Sequence, residues 1–366
     1  MADESNPRQS DEQRQKAQAR KENAAAPRER RPEDWPNRRD FIKRLGAAAL
    51  VAGGASYLWL APENWPLSLR DRTGDRGKPK EPTFRLKNYR VDPKPGAKVL
   101  GVARGENHEQ MLRMAIAAIG GIEHYIHKGD VVLIKPNVAF DRAPKLGATT
   151  NPDVLGALIR LVRAAGASEV RVADNPIESP ESCFAKSGIA DATHQNGANL
   201  YLPSPTSFEM LEVPGAKLIA RWPFFYRPFR GVDKVIGIAP IKDHNLCSAS
   251  MCTKNWYGLL GGRRNQFHQD IHNIVADLAL MMKPTFVILD ASRMLMKNGP
   301  TGGDLSDVVP GHTLVAATDQ IAADSFGYSQ LLGRTTDLPR YLHNAHDRGL
   351  GTPDWKSVPM KEEQVG

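Results

Sequence analysis

The feature that most constrains the fold is an alternation of short apolar runs and amphipathic stretches, which begins near Lys98. Short apolar runs bounded by turn residues predict buried strands, and apolar residues spaced three or four apart predict helices. Strands that alternate with helices form a mostly parallel sheet with helices on both faces. The sequence therefore predicts an α/β fold. The predicted strands are 99–103, 130–135, 169–173, 232–238, 285–289 and 312–317, and the predicted helices are 108–126, 152–165, 273–282 and 321–331.

One interior stretch departs from this alternation. Between residues 200 and 230 the apolar pieces are short, Pro214 and Gly215 form a turn signal, and an aromatic, proline-rich run extends from Trp222 to Phe229. Proline removes backbone donors from a helix, and a Pro-Gly pair favours a tight turn. The stretch predicts a hairpin within an irregular aromatic insertion.

The remaining segments are assigned by composition. Residues 1–44 are crowded with charged and amide side chains and predict a disordered basic region, and residues 45–61 form an uncharged apolar segment. Residues 62–96 are rich in Pro, Gly and charge and predict a linker. The α/β domain is expected at 97–334, followed by a polar tail at 335–366 that either docks on the domain or frays.

The amino-terminal region resembles a twin-arginine export signal. Arg38 and Arg39 are followed by Phe41 and Lys43, and then by the apolar segment 45–61. Such an arginine pair is an address read by a receptor. The resemblance implies that the chain is a partner of the twin-arginine translocation machinery and works on the periplasmic side of a bacterial inner membrane.

The alternative is an ordinary single-span anchor, because 17 apolar residues lie at the short limit for crossing a bilayer. The apolar segment lacks a good A-x-A cleavage site, and Pro62 follows it directly. The protein is therefore expected to be either released or held by this segment as a membrane anchor.

Charge and cysteine spacing narrow the function classes. The formal net charge is +8, but many cations fall in residues 1–44 and no recognised nucleic-acid motif follows, so no nucleic-acid partner is expected. Cys183, Cys247 and Cys252 contain no C-x-x-C pair, and no iron–sulfur cluster is expected from them. Cys247 and Cys252 either pair in an oxidising compartment or remain buried free thiols.

Polar residues recur where predicted strands end. In open parallel sheets, ligands bind outside the carboxyl ends of the strands, so these residues are expected to share a cleft. Each has a simpler explanation as a strand-ending or helix-capping residue. They are Lys135, Asn137, Asp174, Lys242, His244, Asp290 and Asp319.

Residues 242–272 concentrate hydrogen-bond donors in one glycine-containing stretch. Lysine and arginine would supply charge, an amide would supply direction, and glycines would allow close backbone approach, so the stretch predicts an anion pocket. A hydrated basic loop is the alternative. The donors are Lys242, His244, Lys254, Asn255, Arg263, Arg264, His268 and His272.

The spacing of His268 and His272 is compatible with a metal site. Residues four apart lie on one face of an α-helix, where both imidazoles could share a divalent ion with His244 or with an Asp at a strand exit. The ligand set favours a hard or borderline metal. An exposed helix start with Asp270 near the N-terminal dipole is the simpler interpretation.

Gly302 and Gly303 lie in a glycine-rich turn after the strand that ends near Asp290. Successive glycines can direct backbone N–H groups toward an anion, which makes both residues candidate substrate contacts. A purely structural turn explains the pattern equally well, because it matches neither a P-loop nor a dinucleotide fingerprint.

Together these blocks resemble the bacterial and archaeal family called domain of unknown function 362. The resemblance covers about residues 99–332 and implies an α/β fold with a site built from the matching blocks. Members often carry a ferredoxin-like cluster domain, which the cysteine spacing here does not match. The matching blocks are Leu133 to Asn137, Thr150 to Pro152, Ala165 to Ala167, Lys242 to His244, Lys254 with Asn255 and Gly258, His268, Asp290, and Gly299 to Gly303.

Two functional hypotheses follow. In the first, an exported enzyme acts on an anionic small molecule: Lys242 and Lys254 hold the anion, His244 is the general acid–base group or a ligand, and Asp174 or Asp290 orients a partner. In the second, a non-catalytic, membrane-tethered accessory protein delivers a ligand, cofactor or electron to a membrane complex.

Overall fold

The computed structural model describes residues 83–335 and 337–366, and the twin-arginine residues and apolar segment lie outside these ranges. The described chain folds into a large sheet covered by helices, with a small second sheet. The strands are β1 Thr83–Phe84, β2 Leu100–Arg104, β3 Val131–Lys135, β4 Glu169–Ala173, β5 Asn199–Tyr201, β6 Phe208–Glu212, β7 Arg221–Phe225, β8 Lys234–His244, β9 Ser248–Ser250, β10 Phe286–Leu295, β11 Val308–Ala317 and β12 Met360–Gln364.

The helices begin where the sequence supplies caps. Asn107 and Asn151 each accept a hydrogen bond from a backbone N–H of the first turn, and Pro152 starts its helix with the φ that a first turn requires. The helices are α1 His108–Ala118, α2 Ile122–Tyr125, α3 Pro152–Ala164, α4 Pro180–Lys186, α5 Ile189–Gln195, α6 Cys252–Asn255, α7 Ile271–Met281, α8 Gln320–Phe326 and α9 Arg340–His346.

The large sheet has the strand order β12-β2-β11-β10-β8-β3-β4-β5, with β9 paired to β8. Neighbouring strands are parallel except that β11 is antiparallel to β2 and β10, and β9 is antiparallel to β8. The mostly parallel α/β fold predicted from the sequence is confirmed. The carboxyl ends of β3, β4 and β8 therefore meet at one edge of the sheet.

Two apolar clusters cover the two faces of this sheet. Successive strand residues point to opposite faces, so Leu133 packs in one cluster and Ile134 in the other. Helices α1 and α3 contribute to the cluster that contains Ile134, and α7 and α8 contribute to the cluster that contains Leu133. The prediction of helices on both faces is confirmed.

The predicted aromatic insertion forms a hairpin with an added strand. β6 and β7 are antiparallel, and β1 pairs in parallel with β6 to complete a three-stranded sheet. Gly215 has φ +81° in the connecting turn, a conformation that glycine adopts without a steric penalty. Trp222 and Phe224 are fully buried, so the aromatic run supplies part of the core.

Two segments differ from the sequence prediction, and a third adopts one of the two alternatives left open for it. The helix expected at 108–126 is divided into α1 and α2, because Gly120 and Gly121 both have positive φ. Residues 83–96, placed in the linker by composition, pack on the domain through β1 and the buried Tyr89. The polar tail docks, because it contains α9 and the edge strand β12, which pairs with β2.

The strand near His312 was expected to continue the parallel alternation, and this was wrong. β10 and β11 are joined by residues 296–307, which contain one short 3-10 turn and no crossover helix, so the chain reverses and the pair is antiparallel. In the same region the peptide bond between Gly299 and Pro300 is cis. None of the helices in the described ranges is both long enough and apolar enough to cross a membrane.

Candidate functional site

A cavity of about 60 Å³ opens at the edge where β3, β4 and β8 end. One water needs roughly 10–15 Å³ of such volume, so the cavity admits a few waters or a small polar group. The cavity lies where open α/β sheets bind ligands. Its lining residues are Asn137, Ala139, Phe140, Asp174, Asn175, Ile177, Lys242, His244, Ser250, Lys254, Tyr257, Gly258, Arg264, His268 and Pro300.

A buried ion pair lies against the cavity. The Lys135 ammonium, at the end of β3, is 2.7 Å from Asp174 Oδ1 just beyond β4, and both side chains are fully buried. Burial lowers the pKa of Lys135, and the neighbouring carboxylate opposes that shift. Asp174 also accepts a hydrogen bond from the Val138 backbone N–H at 2.7 Å. The pair fixes the two strand exits relative to each other.

Gly258 is required by the closeness of this pair. A Cβ atom at position 258 would lie 2.0 Å from Asp174 Oδ1 and 3.0 Å from Lys135 Nζ. The backbone of Gly258 also accepts a hydrogen bond from Asn175 N at 3.0 Å. A side chain at this position would push the carboxylate out of the ion pair.

Asn255 connects the strand exits from the centre of the site. Its Oδ1 accepts hydrogen bonds from Lys135 Nζ at 2.9 Å and from Asn137 Nδ2 at 3.2 Å, while its Nδ2 donates to the carbonyls of Lys135 and Ile238. All these groups are buried, so the amide satisfies donors and acceptors that water does not reach.

Lys242 has a different environment from Lys135. Its Nζ donates to Asn137 Oδ1 at 3.1 Å and to the Ala148 carbonyl at 2.8 Å, and both acceptors are uncharged. Burial, with a further contribution from the Lys254 charge, lowers the pKa of Lys242 to about 7. The amine can therefore gain or lose a proton near neutral pH.

Lys254 differs from the other two cations that line the cavity, because its ammonium has no hydrogen-bond acceptor in the described residues. Its Nζ lies 5.3 Å from the centre of the Tyr257 ring, and within residues 83–335 and 337–366 no oxygen accepts a hydrogen bond from it. Burial lowers the pKa of Lys254, and the Arg264 charge adds to that effect. An amine in this position is available to a ligand.

His244 ends β8 with its ring buried. Its Nδ1 accepts a hydrogen bond from Leu246 N at 3.1 Å. Burial, followed by the charges of Lys254 and Lys242, lowers the pKa of His244 to about 2. Because Nδ1 is an acceptor in a neutral ring, the hydrogen must be on Nε2, and the imidazole is a neutral donor.

Arg264 ties the segment after α6 to the loop after β4. Its guanidinium donates to the carbonyls of Leu260, Asn175 and Pro176 at 3.0, 2.8 and 2.7 Å. The Tyr257 hydroxyl in turn donates to the Arg264 carbonyl. Burial lowers the pKa of Arg264, although the charge remains because arginine is protonated at any physiological pH.

The structure brings together many of the predicted site residues. Asn137, Asp174, Lys242, His244, Lys254 and His268 line the cavity, and Lys135 and Asn255 lie directly behind it in the network just described. Asp290, His272, Gly302 and Gly303 are not in the cavity wall.

Asp290 lies outside the wall because β10 is longer than predicted. The strand continues to Leu295, so Asp290 is within it and opposite Pro240 of β8. Its carboxylate accepts from Asn151 N at 3.0 Å and from Ser292 Oγ at 2.7 Å. These contacts position the start of α3. Asp319 follows β11, which is antiparallel to β10, so it lies at the opposite ends of the strands from the cavity. Its side chain caps α8.

The proposed three-histidine metal site is not assembled in the described residues, where no group of three or more His, Cys, Asp or Glu side chains could hold a metal ion. Residues 264–270 form a 3-10 helix and the α-helix begins only at Ile271, so residues 268 and 272 do not share a face. His272 instead lies 6.5 Å from the ring of Tyr341.

The two glycines of the glycine-rich turn also lie away from the cavity. A Cβ at Gly302 would contact Leu295, and one at Gly303 would meet no heavy atom within 4 Å. Both have positive φ, so the turn geometry accounts for them. The cis-linked Pro300 is the part of this turn that reaches the cavity.

Six lining residues were missed by sequence reasoning, namely Ala139, Phe140, Asn175, Ile177, Ser250 and Tyr257. Phe140 and Ile177 lie a few residues after Lys135 and Asp174, where two predicted strands end. Their closeness in sequence to these strand ends could have identified them. Cys183, Cys247 and Cys252 are buried free thiols.

The family model described as Domain of unknown function (DUF362) matches residues 132–329. A thylakoid-associated protein of Synechocystis sp. is 25% identical over 234 residues, which cover 60% of this chain and 68% of that protein.

Two solved structures are also similar. The lactate racemase apoprotein of Thermoanaerobacterium thermosaccharolyticum has 14% identity and a TM-score of 0.33, with 65% of this chain and 57% of that chain covered. A protein of Thermotoga maritima has 12% identity and a TM-score of 0.31, with 57% and 54% covered. This chain thus spans little more than half of the length of these two structures.

Proposed function

The chain belongs to the Domain of unknown function (DUF362) family, and from that premise we propose an exported α/β enzyme that binds a small anion and acts on it by proton transfer. The anion binds in the cavity at the ends of β3, β4 and β8. Lys254 and Arg264 supply the charge that holds it. Lys242 exchanges a proton with it, and neutral His244 donates a hydrogen bond.

The observation that carries this proposal is an excess of positive charge. Lys242, Lys254 and Arg264 line the cavity beside a single carboxylate, Asp174, which is already paired with Lys135. The acceptors of Lys242 and Arg264 are neutral oxygens, and Lys254 has no oxygen acceptor in the described chain. Lys242 and Arg264 are buried and Lys254 is half-buried. Cations withdrawn from water without a counterion are costly, so an anionic ligand stabilises this arrangement.

The roles of Lys242 and His244 follow from their states of protonation. An amine with a pKa near 7 is suited to gain or lose a proton at neutral pH. A ring whose pKa is about 2 is not a base at that pH, and its Nε2–H can only donate. We therefore assign proton transfer to Lys242 and stabilisation of a developing negative oxygen to His244.

Anion binding is tested by calorimetric titration of the full-length protein with acetate and with inorganic phosphate. The wild type is expected to bind at least one of them. Lys254→Met should weaken that binding by about 10- to 100-fold, because a hydrogen bond to a charged group contributes roughly 1.5–3 kcal/mol. The control is Lys128→Met, an exposed lysine before β3. Absence of binding in the wild type, or an unchanged affinity in Lys254→Met, would contradict the proposal.

Catalysis is tested separately from binding. Full-length protein is incubated with small carboxylates and phosphate esters, and proton NMR follows any change in them. His244→Gln should reduce turnover by about 10²- to 10⁴-fold, the usual contribution of a positioned hydrogen-bonding or proton-transfer group. Binding without turnover across the panel would instead favour the non-catalytic accessory protein.

We also propose that export uses the twin-arginine pathway and that the product works on the periplasmic side of the inner membrane. Arg38 and Arg39, followed by Phe41 and Lys43, support this assignment. A fusion of residues 1–66 to a folded fluorescent reporter should be exported in a bacterium that has the pathway. The double variant Arg38→Lys and Arg39→Lys should remain in the cytoplasm, and export of that variant would refute the assignment.

A further inference from the structure

The residues that line the cavity differ in how far they are exposed to solvent. Lys242, His244 and Arg264 are 1%, 3% and 7% exposed, whereas Ile177 is 52% exposed. Phe140, at 8%, is buried with them, and Lys254 is half-buried. We call this buried part of the wall the floor and the end at Ile177 the mouth. An apolar side chain stands at the entrance.

Ile177 is held at this entrance by the backbone around it. Its own N–H donates to the Ala139 carbonyl at 3.1 Å, and Arg264 binds the carbonyls of Asn175 and Pro176 immediately before it. These hydrogen bonds fix the backbone from Asn175 to Ile177. Ile177 therefore keeps apolar surface in water at the mouth of the cavity, and a ligand that covers it gains the free energy of burying that surface.

Other apolar groups continue this surface into the cavity. Phe140, Ala139 and Pro300 line it together with Ile177. The Phe140 ring centre is 5.4 Å from Lys242 Nζ, so an apolar wall reaches the cationic floor directly. The cavity volume of about 60 Å³ suits a small charged head group.

We propose that the ligand is an amphiphilic anion, a small carboxylate or phosphate that carries a short apolar group. The charged head binds beside Lys242 and Lys254, and the apolar group lies against Phe140 and extends to Ile177 at the mouth. The anionic half of this inference rests on the proposed function. The apolar half rests on the exposed, fixed Ile177.

The test is a chain-length series with two head groups. Full-length protein is titrated with acetate, propionate, butyrate and valerate, and with inorganic, methyl, ethyl and butyl phosphate. Complete burial of one methylene raises affinity about fourfold. Because Ile177 is half exposed, the affinity for the preferred head group should rise about two- to fourfold with each added carbon.

The variant Ile177→Ser should flatten this rise while leaving the affinity for the shortest anion unchanged. The matched control is Leu305→Ser, since Leu305 is also 52% exposed but does not line the cavity. Unchanged thermal unfolding of both variants would show that the fold is intact, which is expected because both side chains are at the surface.

The outcomes separate the two proposals. If no anion of either series binds, the proposed function fails. If the shortest anions bind and the affinity does not increase with chain length, the anion site stands and the apolar half of the inference is overturned. A rise that persists in Ile177→Ser, or that is lost equally in Leu305→Ser, also overturns it.

Discussion

Lys135 and Lys242 are both buried near the same strand ends, but their hydrogen-bond acceptors differ in charge, and this difference affects their protonation. Lys135 is paired with a carboxylate at 2.7 Å, so its charge is compensated inside the protein. Lys242 donates only to an amide oxygen and a backbone carbonyl, and neighbouring Lys254 adds repulsion. Only Lys242 is therefore suited to change its charge when a ligand arrives.

Anion binding should consume a proton at Lys242. A bound anion favours the ammonium form, so the pKa rises from about 7 in the free protein to a higher value in the complex. Below pH 7 the amine is already protonated and affinity is at its maximum. Above pH 7 binding takes up a proton, and affinity should fall by at most about tenfold per pH unit until the pKa of the complex is passed.

Titrations with phosphate or acetate between pH 6 and 9, in buffers of different ionisation enthalpy, measure this uptake. The groups that face Lys242 are Lys254, Lys135, Asp174 and His244. The variant Lys242→Met should lose most of the pH dependence, whereas Lys254→Met should bind more weakly and retain it. An affinity that is constant from pH 7 to 9 in the wild type would contradict this assignment.

Gly258 is predicted to be essential for the same site. Alanine would place Cβ 2.0 Å from Asp174 Oδ1, so either the ion pair or the segment after α6 must move. Overpacking of this kind costs about 1–3 kcal/mol. Urea unfolding should show that loss for Gly258→Ala, together with weaker phosphate or acetate binding. Gly366→Ala, where a Cβ would meet nothing within 4 Å, is the control. Wild-type stability in Gly258→Ala would refute the requirement.

The sequence predicted which polar residues form the site and that they lie at the ends of strands. Lys135, Asn137, Asp174 and Lys242 follow or end apolar strands, and parallel strands bring such positions together. Asp290 was misplaced because an apolar run reveals that a strand exists but not how far it continues. The exact length depended on pairing with β8 and β11, which are distant in sequence.

Among the elements, α6 depends on a neighbouring helix. Asp324 of α8 accepts hydrogen bonds from Cys252 N at 2.8 Å and Thr253 N at 3.0 Å, so it holds the start of the helix that carries Lys254. Burial raises the pKa of Asp324 to about 7. The element that presents the anion-binding lysine is thus anchored by a carboxyl group that titrates near neutral pH.

This anchor predicts a pH-dependent stability. Between pH 4 and 7 the folded protein retains a proton on Asp324 that the unfolded chain has released, because the ordinary pKa is 3.8. Asp324 therefore contributes a free energy of unfolding that is largest near pH 4, falls as pH rises toward 7 and is constant above it. The slope cannot exceed about 1.4 kcal/mol per pH unit.

Urea unfolding of the wild type and Asp324→Asn at pH 5, 6 and 7 isolates this contribution. The difference in unfolding free energy between the two proteins should change with pH, because asparagine does not titrate there. The exposed Asp347→Asn should show no comparable change relative to the wild type. A pH-independent difference for Asp324→Asn would argue that its carboxyl is ionised throughout.

Element prediction succeeded where the pattern is local. Helix α3 was predicted to within one residue because Asn151 caps it and Pro152 starts it. The divided helix at Gly120 and Gly121 was missed, although adjacent glycines are a recognisable break signal. The direction of β11 could have been inferred from the absence of a helical pattern between it and β10.

At the scale of the whole molecule, the hardest feature to predict was the end of the chain. The sequence of β12, Met360–Gln364, is mostly polar and carries no strand pattern. It becomes a strand because the exposed edge of β2 offers backbone partners along Leu100–Arg104. Edge pairing of this kind is a tertiary effect that composition does not reveal.

This position predicts that stability and binding can be separated. Four inter-strand steps lie between β12 and β8, a distance of about 19 Å at roughly 4.8 Å per step. Deleting residues 360–366 removes the β12 ladder, and each lost hydrogen bond costs about 0.5–1.5 kcal/mol. The free energy of unfolding should fall by about 2–4 kcal/mol, as measured in urea.

The same deletion should leave the affinity for phosphate or acetate within about twofold of the wild type, since 1 kcal/mol would already change it roughly fivefold. The cavity depends on β3, β4, β8 and the segment after α6, and none of these pairs with β12. If binding were lost while the shortened protein remained folded, the far edge would have to act on the strand exits through β2, β11 and β10. The sheet would then transmit strain across its width, and the site could no longer be described by its local contacts alone.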